Sequence, residues 1–267
     1  MRLISWNING IRAAIKKGLW DKLSQINADV VCFQETKADA DIMNQAGLIH
    51  PDWELYFHSC SMKKGYSGVA TLVKKSANIH LESFSQGVGI EKFDVEGRVI
   101  VAHLTQGDLK ISLINAYYPQ GGRDGRIPFK IDFYEAMYDL ANDMRQLGQM
   151  VVLCGDFNTT IGDIDLARPK ENRNTTGCLP VERTAFDLFL QHGFIDTFRH
   201  FYPDTSDKYT YWDQITRARD RNVGWRIDYF LIDDKLLSRL TQADILDQIM
   251  GSDHCPVCIE LTHSPTH

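Results

Sequence analysis

Residues 150–158 read M-V-V-L-C-G-D-F-N, an apolar run that ends abruptly in polar residues. The run predicts a buried strand at 150–155. Because side chains two positions apart on a strand share a face, we expect Asp156 and Asn158 to project into one small volume. Gly, Asp and Asn are also turn formers, so this strand end alone is equally compatible with a simple turn.

Other strand-like runs begin or end with polar residues in the same way. The polar residues are Asn7, Glu35 and Tyr117 at the ends of three runs, and Asp253 with His254 just before the last run. In α/β folds, ligands bind where several strand ends gather. Five polar strand ends in one chain therefore predict a functional site.

The rest of the chain mixes strand and helix patterns. Strand-like runs lie near residues 2–7, 29–35, 67–74, 98–104, 110–117, 150–155, 226–232 and 256–262. Apolar residues at three- and four-residue steps predict helices over 126–147, around 181–190 and near 19–26. The segment 106–108 reads as a hairpin turn between two runs, so the sheets should be mixed. We expect a single layered α/β domain, residues 1–267.

Composition indicates a soluble globular protein. The 267 residues are 43% hydrophobic and 24% charged, and no apolar stretch approaches the ~20 residues of a membrane span. The chain enters a strand at once, without a signal peptide, so an intracellular protein is expected. Cys255 and Cys258 form a C-x-x-C, but three positions apart on a strand they face opposite ways, which does not favour zinc.

Charge is unevenly distributed along the chain. The net charge of −6 argues against non-specific coating of polyanions but leaves room for a local basic face. Basic residues cluster at Arg12/Lys16/Lys17, Lys63/Lys64, Arg168/Lys170/Arg173 and Arg217/Arg219/Arg221/Arg226. Any one cluster is compatible with ordinary solvated surface.

Asp228 should be buried, because strand alternation places it on one face with Phe230 and Ile232. A buried carboxylate needs a partner. Arg226 on the same face would make a structural bridge. His254 is the alternative, and a His held by a carboxylate is oriented and more basic, which suits it to bind or protonate a phosphoryl oxygen.

The candidate residues are dominated by oxygen donors, which favour Mg²⁺ or Mn²⁺ over zinc. No H-E-x-x-H, P-loop or G-x-G-x-x-G occurs in the sequence, so nucleotide-powered chemistry is not expected. A carboxylate that takes a proton from water, with a cation and neutral donors to stabilise negative charge, suits phosphodiester hydrolysis.

Motifs spread over nearly the whole chain resemble the exonuclease III family of abasic-site endonucleases, within the endonuclease/exonuclease/phosphatase superfamily. The matching stretches are Trp6-Asn7-Ile8-Asn9-Gly10-Ile11-Arg12-Ala13, Gln34-Glu35-Thr36-Lys37, Gly65-Tyr66-Ser67-Gly68-Val69, Glu96-Gly97-Arg98-Val99-Ile100, Ala116-Tyr117-Tyr118-Pro119, Gly155-Asp156-Phe157-Asn158, Gly224-Trp225-Arg226-Ile227-Asp228-Tyr229 and Ser252-Asp253-His254-Cys255-Pro256. The resemblance implies a four-layered α/β sandwich with two mixed β-sheets packed face to face between helices.

The resemblance also implies roles for individual residues. The metal-site residues would be Asn7, Glu35 and Asp253, with Asp156, Asn158 and His254 also at the ion. Catalysis would use Asp156 as the water-activating base, Asn158 to orient the nucleophile, Tyr117 to contact the scissile phosphate and His254, paired with Asp228, to grip it. The DNA-contacting residues would be Arg12, Lys37, Tyr66 and Arg173, with Tyr211 and Trp225 as walls of a pocket for a flipped, base-less deoxyribose.

Two features refine the resemblance. Asn9 stands where the eukaryotic branch has Asp, which leaves one fewer carboxylate near the ion, although Trp212 through Asp228 resembles that branch more than the bacterial founder. The chain lacks the long basic N-terminal extension of nuclear relatives. The implied protein is a bacterial cytoplasmic monomer that acts on double-stranded DNA with abasic sites or blocked 3′ ends, using Mg²⁺ or, as a substitute, Mn²⁺.

The implied function is incision of DNA 5′ to abasic sites, with some 3′–5′ exonuclease and 3′-end trimming activity. Two alternatives remain at the level of sequence. One keeps the chemistry but cleaves a phosphoinositide or sphingolipid phosphodiester, although those branches lack the Gly224-Trp225-Arg226 and Tyr66 elements. The other is a DNA-binding scaffold without catalysis, which predicts the loss of a catalytic residue that this chain retains.

Overall fold

The computed structural model describes residues 1–45, 47–122 and 125–263. The strands are β1 Arg2–Asn7, β2 Val30–Gln34, β3 Trp53–His58, β4 Val69–Lys74, β5 His80–Gln86, β6 Val99–Gln106, β7 Leu109–Tyr117, β8 Val151–Asp156, β9 Phe194–Asp196, β10 Asp228–Asp233, β11 Leu240–Ile245 and β12 Val257–Leu261. The α-helices are α1 Ile11–Lys16, α2 Leu19–Ile26, α3 Ala40–Met43, α4 Glu91–Asp94, α5 Arg126–Gln146, α6 Pro169–Asn172, α7 Pro180–Gln191 and α8 Thr197–Phe201. Short 3₁₀ turns cover Lys75–Ala77, Asp163–Asp165, Ala218–Arg221 and Asp234–Arg239.

The strands form two six-stranded sheets, ordered β11-β12-β1-β2-β4-β3 and β5-β6-β7-β8-β10-β9. Strand β1 runs parallel to β2, and β7 runs parallel to β8, whereas the other pairings are antiparallel. The sheets are therefore mixed, as the hairpin signal at 106–108 predicted. The expected α/β sandwich is confirmed, with helices flanking the paired sheets.

Apolar side chains fill three layers. Between the sheets, Cys154 and Phe230 pack in one buried cluster. Helices α5 and α7 cover the second sheet through a cluster that includes Phe133 and Phe186. Helices α1 and α2 cover the first sheet, with Leu23 in that cluster. Each fully buried Phe or Leu contributes ~1.5–3 kcal/mol, so the paired sheets are a stable support for the loops at their ends.

Both cysteines of the C-x-x-C are buried thiols. Cys255 belongs to the cluster between the sheets, and Cys258 belongs to the cluster under the helices of the first sheet. They therefore face opposite ways, as strand alternation predicted. No helix in the described part of the chain is long and apolar enough to cross a bilayer.

Four strands were absent from the sequence prediction: β3, β5, β9 and β11. These are the four edge strands of the two sheets. Edge strands in native proteins are often short, charged and partly solvated, so they carry less of the apolar pattern that marks an inner strand. Strand β5, for example, is mostly exposed, and β9 has three residues.

Gly155 explains how the quoted strand can end where it does. Strand β8 lies between β7 and β10, and Gly155 pairs with Ala116 on one side and Tyr229 on the other. Its φ is +141°, and a Cβ atom there would lie 1.8 Å from the Ala116 carbonyl oxygen. Only glycine fits this approach, and it delivers Asp156 to the end of the strand.

Candidate active site

The polar strand ends meet at one edge of the sandwich, where the two sheets contribute facing side chains. Asp156 pairs in register with Tyr117 of β7 and Asp228 of β10. From the other sheet, the Asn7 amide Nδ2 donates to Glu35 Oε1 and to Asp156 Oδ2, both at 2.9 Å. Asn7 thus joins the carboxylates of the two sheets, and the predicted convergence of strand ends is present.

The backbone at this edge adopts left-handed conformations that non-glycine residues seldom take. The φ angles are +48° at Asn9, +52° at Glu35, +50° at Lys37 and +53° at Asn158. Each such residue costs on the order of 1–3 kcal/mol, and such strain tends to cluster at functional sites. Backbone hydrogen bonds hold the loops, for example from Gly10 N to Glu35 O at 2.7 Å.

Three side chains form a group that could hold a metal ion. One ligand atom each from Glu35, Asp156 and His254 lies within 4.8 Å of the others. The two carboxylates fit a divalent cation with open positions. His254 could join them as a ligand only as a neutral imidazole. One buried carboxylate oxygen nearby, Asp228 Oδ1, has no hydrogen-bond partner among the described residues, and this also favours a cation.

The other predicted metal residues lie beside this group in different arrangements. The Asp253 carboxylate accepts two hydrogen bonds from Asn9 Nδ2, at 3.0 and 3.1 Å. The Asn7 side-chain oxygen accepts from the backbone amide of Asn9 at 3.1 Å. Lys37 is paired with Glu35 at 2.8 Å. Asn9 therefore connects Asp253 to the loop of Asn7, a contact that an Asp at position 9 would replace with like-charge repulsion.

His254 and Asp228 form a buried pair, with Nδ1 and Oδ2 separated by 2.8 Å. Burial lowers the pKa of His254, but the Asp228 carboxylate outweighs burial and raises the pKa to about 10. The ring is then imidazolium at neutral pH, with Nε2 lying 3.9 Å from Asp156 Oδ2. Of the two partners weighed for Asp228, His254 is correct.

Arg226 has other partners. Its Nε donates to Asp165 Oδ1 at 2.8 Å and its Nη2 to Asp196 Oδ2 at 2.7 Å. The alternative of an Asp228–Arg226 bridge was wrong because Arg226 lies before β10, where the chain has not yet entered the alternation of the strand. Arg226 is also fully buried, so it does not belong to a basic surface.

Asp156 has the environment of a proton acceptor. Burial and the nearby Asp228 carboxylate raise its pKa to about 7, against the opposing effect of His254. A group with a pKa near the working pH is well suited to general base catalysis. The Asp156 Oδ1 atom also accepts from the backbone amide of Asn158 at 2.8 Å, which fixes the carboxylate.

Tyr117 is positioned by a residue to which the sequence analysis gave no role. The Arg98 guanidinium lies 4.8 Å from the centre of the Tyr117 ring and donates to the Tyr117 carbonyl at 2.9 Å. It also donates to the Tyr66 hydroxyl at 2.8 Å and pairs with Glu96 at 2.5 Å. Burial raises the pKa of Tyr117 well above its usual value, so its hydroxyl remains a donor. The only sequence signal was the motif Glu96-Gly97-Arg98.

The residues predicted to contact DNA are exposed or half-buried. Arg12 and Lys37 line an open cleft of about 550 Å³. Arg173 is exposed just after α6, and Tyr66 is half-buried. Lys37 also reaches the carboxylate group through its pair with Glu35 at 2.8 Å.

Four neighbouring aromatic residues, Tyr209, Tyr211, Trp212 and Trp225, differ in burial. Tyr209 and Trp212 are buried in the core between the sheets. Tyr211 pairs as an isolated bridge with both Trp225 and His254, and its ring centre lies 4.9 Å from that of His254. Tyr211 and Trp225 are only partly buried. Tyr209 and Trp212 thus belong to the core, whereas the role of Tyr211 and Trp225 as walls of a deoxyribose pocket stays a prediction.

Lys130 and Glu182 were missed entirely by the sequence analysis. Both side chains are fully buried, and Lys130 Nζ lies 2.6 Å from Glu182 Oε1. Burial lowers the pKa of Lys130, against the effect of Glu182. A signal was present, because Lys130 stands at helical spacing from Phe133, Tyr134 and Met137 on the apolar face of α5. A charged residue in an apolar stripe needs a buried partner.

Comparisons with known proteins agree with the fold. A model of the Endonuclease/Exonuclease/phosphatase family matches residues 4–254. An exodeoxyribonuclease of Bacillus subtilis is 40% identical over 259 residues, covering 96% of this chain and 98% of the relative. The DNA repair nuclease APEX1 of Danio rerio is 39% identical and covers 98% and 82%. The crystal structure of an AP endonuclease from Leishmania major aligns with a TM-score of 0.90 at 28% identity, covering 98% and 88%.

Proposed function

We propose that this chain, which belongs to the endonuclease/exonuclease/phosphatase family, is a Mg²⁺-dependent DNA repair nuclease. It hydrolyses the phosphodiester 5′ to abasic sites in duplex DNA and trims blocked 3′ ends as a 3′–5′ exonuclease. The observation that carries the proposal is the group of Glu35, Asp156 and His254, with His254 held as a cation by Asp228.

The side chains divide the work of hydrolysis. Asp156 accepts the proton of the attacking water, since its pKa lies near neutrality. The imidazolium of His254 and the hydroxyl of Tyr117 donate to phosphoryl oxygens and stabilise the charge that develops there. Asn158 orients the nucleophile. A divalent cation held by Glu35 and Asp156 would supply Lewis-acid stabilisation of the phosphoryl group.

Substrate choice follows from the surroundings of the site. Arg12, Lys37 and Arg173 would meet phosphates of a DNA backbone, where cationic side chains fix register without reading sequence. Tyr211 and Trp225 would enclose a deoxyribose that has lost its base. An abasic nucleotide is also cheaper to extrude from the helix than a paired one, so both effects select the same substrate.

The proposal includes the state of the protein. We infer a single domain over residues 1–267 that works as a monomer in the bacterial cytoplasm. The family match over 4–254 supports the single domain, and the Bacillus subtilis relative, which matches along 98% of its length, supports a bacterial setting. Light scattering during size-exclusion chromatography, with and without duplex DNA, gives the molar mass and so tests whether the protein is a monomer.

The activity test uses one duplex with a single abasic analogue, end-labelled on either strand. Incision 5′ to the analogue in Mg²⁺, its abolition by EDTA and partial recovery in Mn²⁺ are expected, with products sized on a gel. An undamaged duplex is the control. Cleavage of a soluble phosphoinositide in place of the abasic duplex would support the lipid alternative, and tight binding without cleavage would support a scaffold.

A further inference from the structure

A buried ion pair lies directly behind the site. The Lys130 ammonium, on α5, donates to Glu182 Oε1 at 2.6 Å and to the backbone carbonyl of Asn158 at 2.7 Å. Both charged side chains are completely shielded from solvent. A buried pair of this kind is weak evidence for stability, because desolvation offsets the attraction. Its contact with Asn158 indicates a different use.

We propose that the Lys130–Glu182 pair is a positioning element, which sets the Asn158 loop of the active site and couples it to the segment 176–179 behind Trp225. The inference rests on the proposed nuclease function. Lys130 and Glu182 need not touch substrate, because they act through the loops that they hold.

Glu182 holds a whole turn through one carboxylate. It accepts hydrogen bonds from Gly177 N at 2.5 Å, from Leu179 N at 3.1 Å and from Thr176 Oγ1 at 2.7 Å. The Gly177 carbonyl in turn accepts from Thr160 N at 2.8 Å and from Thr160 Oγ1 at 3.0 Å. The turn is therefore tied to the strand end that carries Asp156 and Asn158.

The same turn packs against the proposed pocket wall. A Cβ atom at Gly177 would lie 3.1 Å from the Asn158 carbonyl oxygen and 3.2 Å from the Trp225 ring. Movement of this turn would therefore disturb both the Asn158 loop, which fixes the Asp156 carboxylate, and the Trp225 ring. Asn158 is sensitive to such movement, because its φ of +53° persists only while neighbours enforce it.

Helix α5 also offers a matched control. Arg145 lies near its other end, ~22 Å along the axis at 1.5 Å per residue. Its Nε pairs with the buried carboxylate of Asp233 at 2.8 Å. Asp233 is the last residue of β10, whereas Asp228 is the first. The Arg145–Asp233 pair thus tethers the same helix to the same sheet, but at the end away from the site.

The experiment compares two double variants, Lys130→Met/Glu182→Gln and Arg145→Met/Asp233→Asn. Removing both charges avoids the uncompensated buried charge that would unfold a single variant. Urea unfolding measures the stability of each, and kcat and KM are measured on the abasic duplex at saturating Mg²⁺. For the Lys130 double variant we expect kcat to fall ~10–100-fold with KM little changed, since misplacement by about 1 Å can cost 10²-fold.

Three outcomes bear on the inference. The inference is supported if kcat falls only in the Lys130 double variant at matched stability. The single variant Lys130→Arg, which keeps a cation beside Glu182, should then lose less kcat than the double variant. Equal kcat in the two double variants, or losses that follow stability alone, would overturn it. A parent protein that does not incise the duplex refutes the proposed function instead.

A readout independent of activity separates these cases. Amide hydrogen exchange at Gly177 and Thr160 should quicken in Lys130→Met/Glu182→Gln and stay at the parent rate in Arg145→Met/Asp233→Asn. Unchanged exchange at both amides would show that the pair does not hold the two loops together, whatever the enzyme assay gives.

Discussion

Arg226 and Asp228 stand two residues apart and both are buried, yet their surroundings differ in one respect. Around Arg226, the Asp165 and Asp196 carboxylates are matched by the guanidinium groups of Arg226 and Arg199. This cluster is balanced in charge, and each of its two carboxylates is paired. Among the described residues, the buried polar atom without a partner in this cluster is a donor, Arg199 Nε, whereas the carboxylate oxygens are all paired and leave no oxygen for a cation.

Around Asp228 the balance is incomplete. Asp228, Asp156 and Glu35 face the cations of His254 and Lys37, so negative charge is in excess. Burial, together with the Asp228 and Glu35 carboxylates, raises the pKa of Asp156, and Asp228 Oδ1 has no hydrogen-bond partner among the described residues. Incomplete pairing, rather than burial of charge, therefore distinguishes the site that can take up a cation and a phosphate.

Asp156→Asn should have the largest effect on activity. Loss of the proposed base should lower the single-turnover rate ~10²–10⁴-fold, and added Mg²⁺ should not restore it. Stability of the metal-free variant should not fall, because burial already disfavours the charged carboxylate. Glu35→Gln is the control, since loss of a charged ligand should be partly rescued by high Mg²⁺. An active Asp156→Asn enzyme would leave the mechanism without a base.

Asp228→Ala and His254→Ala should each be severely impaired, and together little worse than the worse single variant. Residues that act as a unit are non-additive in mutant kinetics. The four kcat/KM values of the cycle measure the coupling. Fully additive losses would mean that the 2.8 Å contact has no catalytic role.

Arg226→Met should break the balanced cluster and destabilise the fold. It leaves Asp196 without its buried cation, which for buried pairs costs ~3–5 kcal/mol. Urea unfolding gives this loss, and kcat measured where the variant is folded should be close to that of the parent. A large kcat loss at unchanged stability would reverse the assignment of the two clusters.

The clusters should also differ in the sign of their pH dependence. Burial raises the pKa of Asp165, but Arg226 outweighs it and lowers the pKa below the usual value. Its contribution to stability is therefore complete above the unfolded pKa of ~3.9 and is lost as pH falls further. The stability difference between parent and Asp165→Asn should shrink in acid. The pKa of His254 is raised instead, so the stability difference between parent and His254→Gln should be complete below the unfolded pKa of ~6.5 and should shrink as the pH rises towards about 10.

Sequence patterns predicted the inner strands, the long helices and the gathering of polar strand ends. These features follow from local alternation and burial, which a sequence displays directly. The four edge strands were not predicted. Three of them are partly exposed and so lack a clear apolar alternation, and β9 has only three residues.

Partner choice was likewise beyond the local pattern. Alternation predicted that Asp228 is buried, but only the fold brings His254 to it from a distant strand start and sends Arg226 to Asp165 and Asp196. The pairing of Lys130 with Glu182 has the same origin. Burial can be predicted from local sequence, whereas complementary charge depends on tertiary contacts.

Trp225→Ala should have the smallest effect on chemistry and a selective effect on specificity. The Trp225 ring lies beside Gly177, and the Trp225 backbone pairs with that of Tyr211. Trp225 therefore lies at the rim of the site and not among the carboxylates. Its removal would enlarge the proposed deoxyribose pocket, so a nucleotide that retains its base would be rejected less strongly.

The quantity to measure is the ratio of cleavage rates on abasic and undamaged duplexes. It should fall in Trp225→Ala by more than the abasic rate itself falls. Salt must be fixed, because phosphate contacts make binding strongly salt-dependent. Trp212→Phe is the matched control, since Trp212 lies in the core. This substitution should change the stability of the protein and leave the ratio of cleavage rates unchanged. An unchanged ratio in a folded Trp225→Ala protein would remove Trp225 from the pocket, and discrimination would then have to arise from the cost of extruding the nucleotide alone.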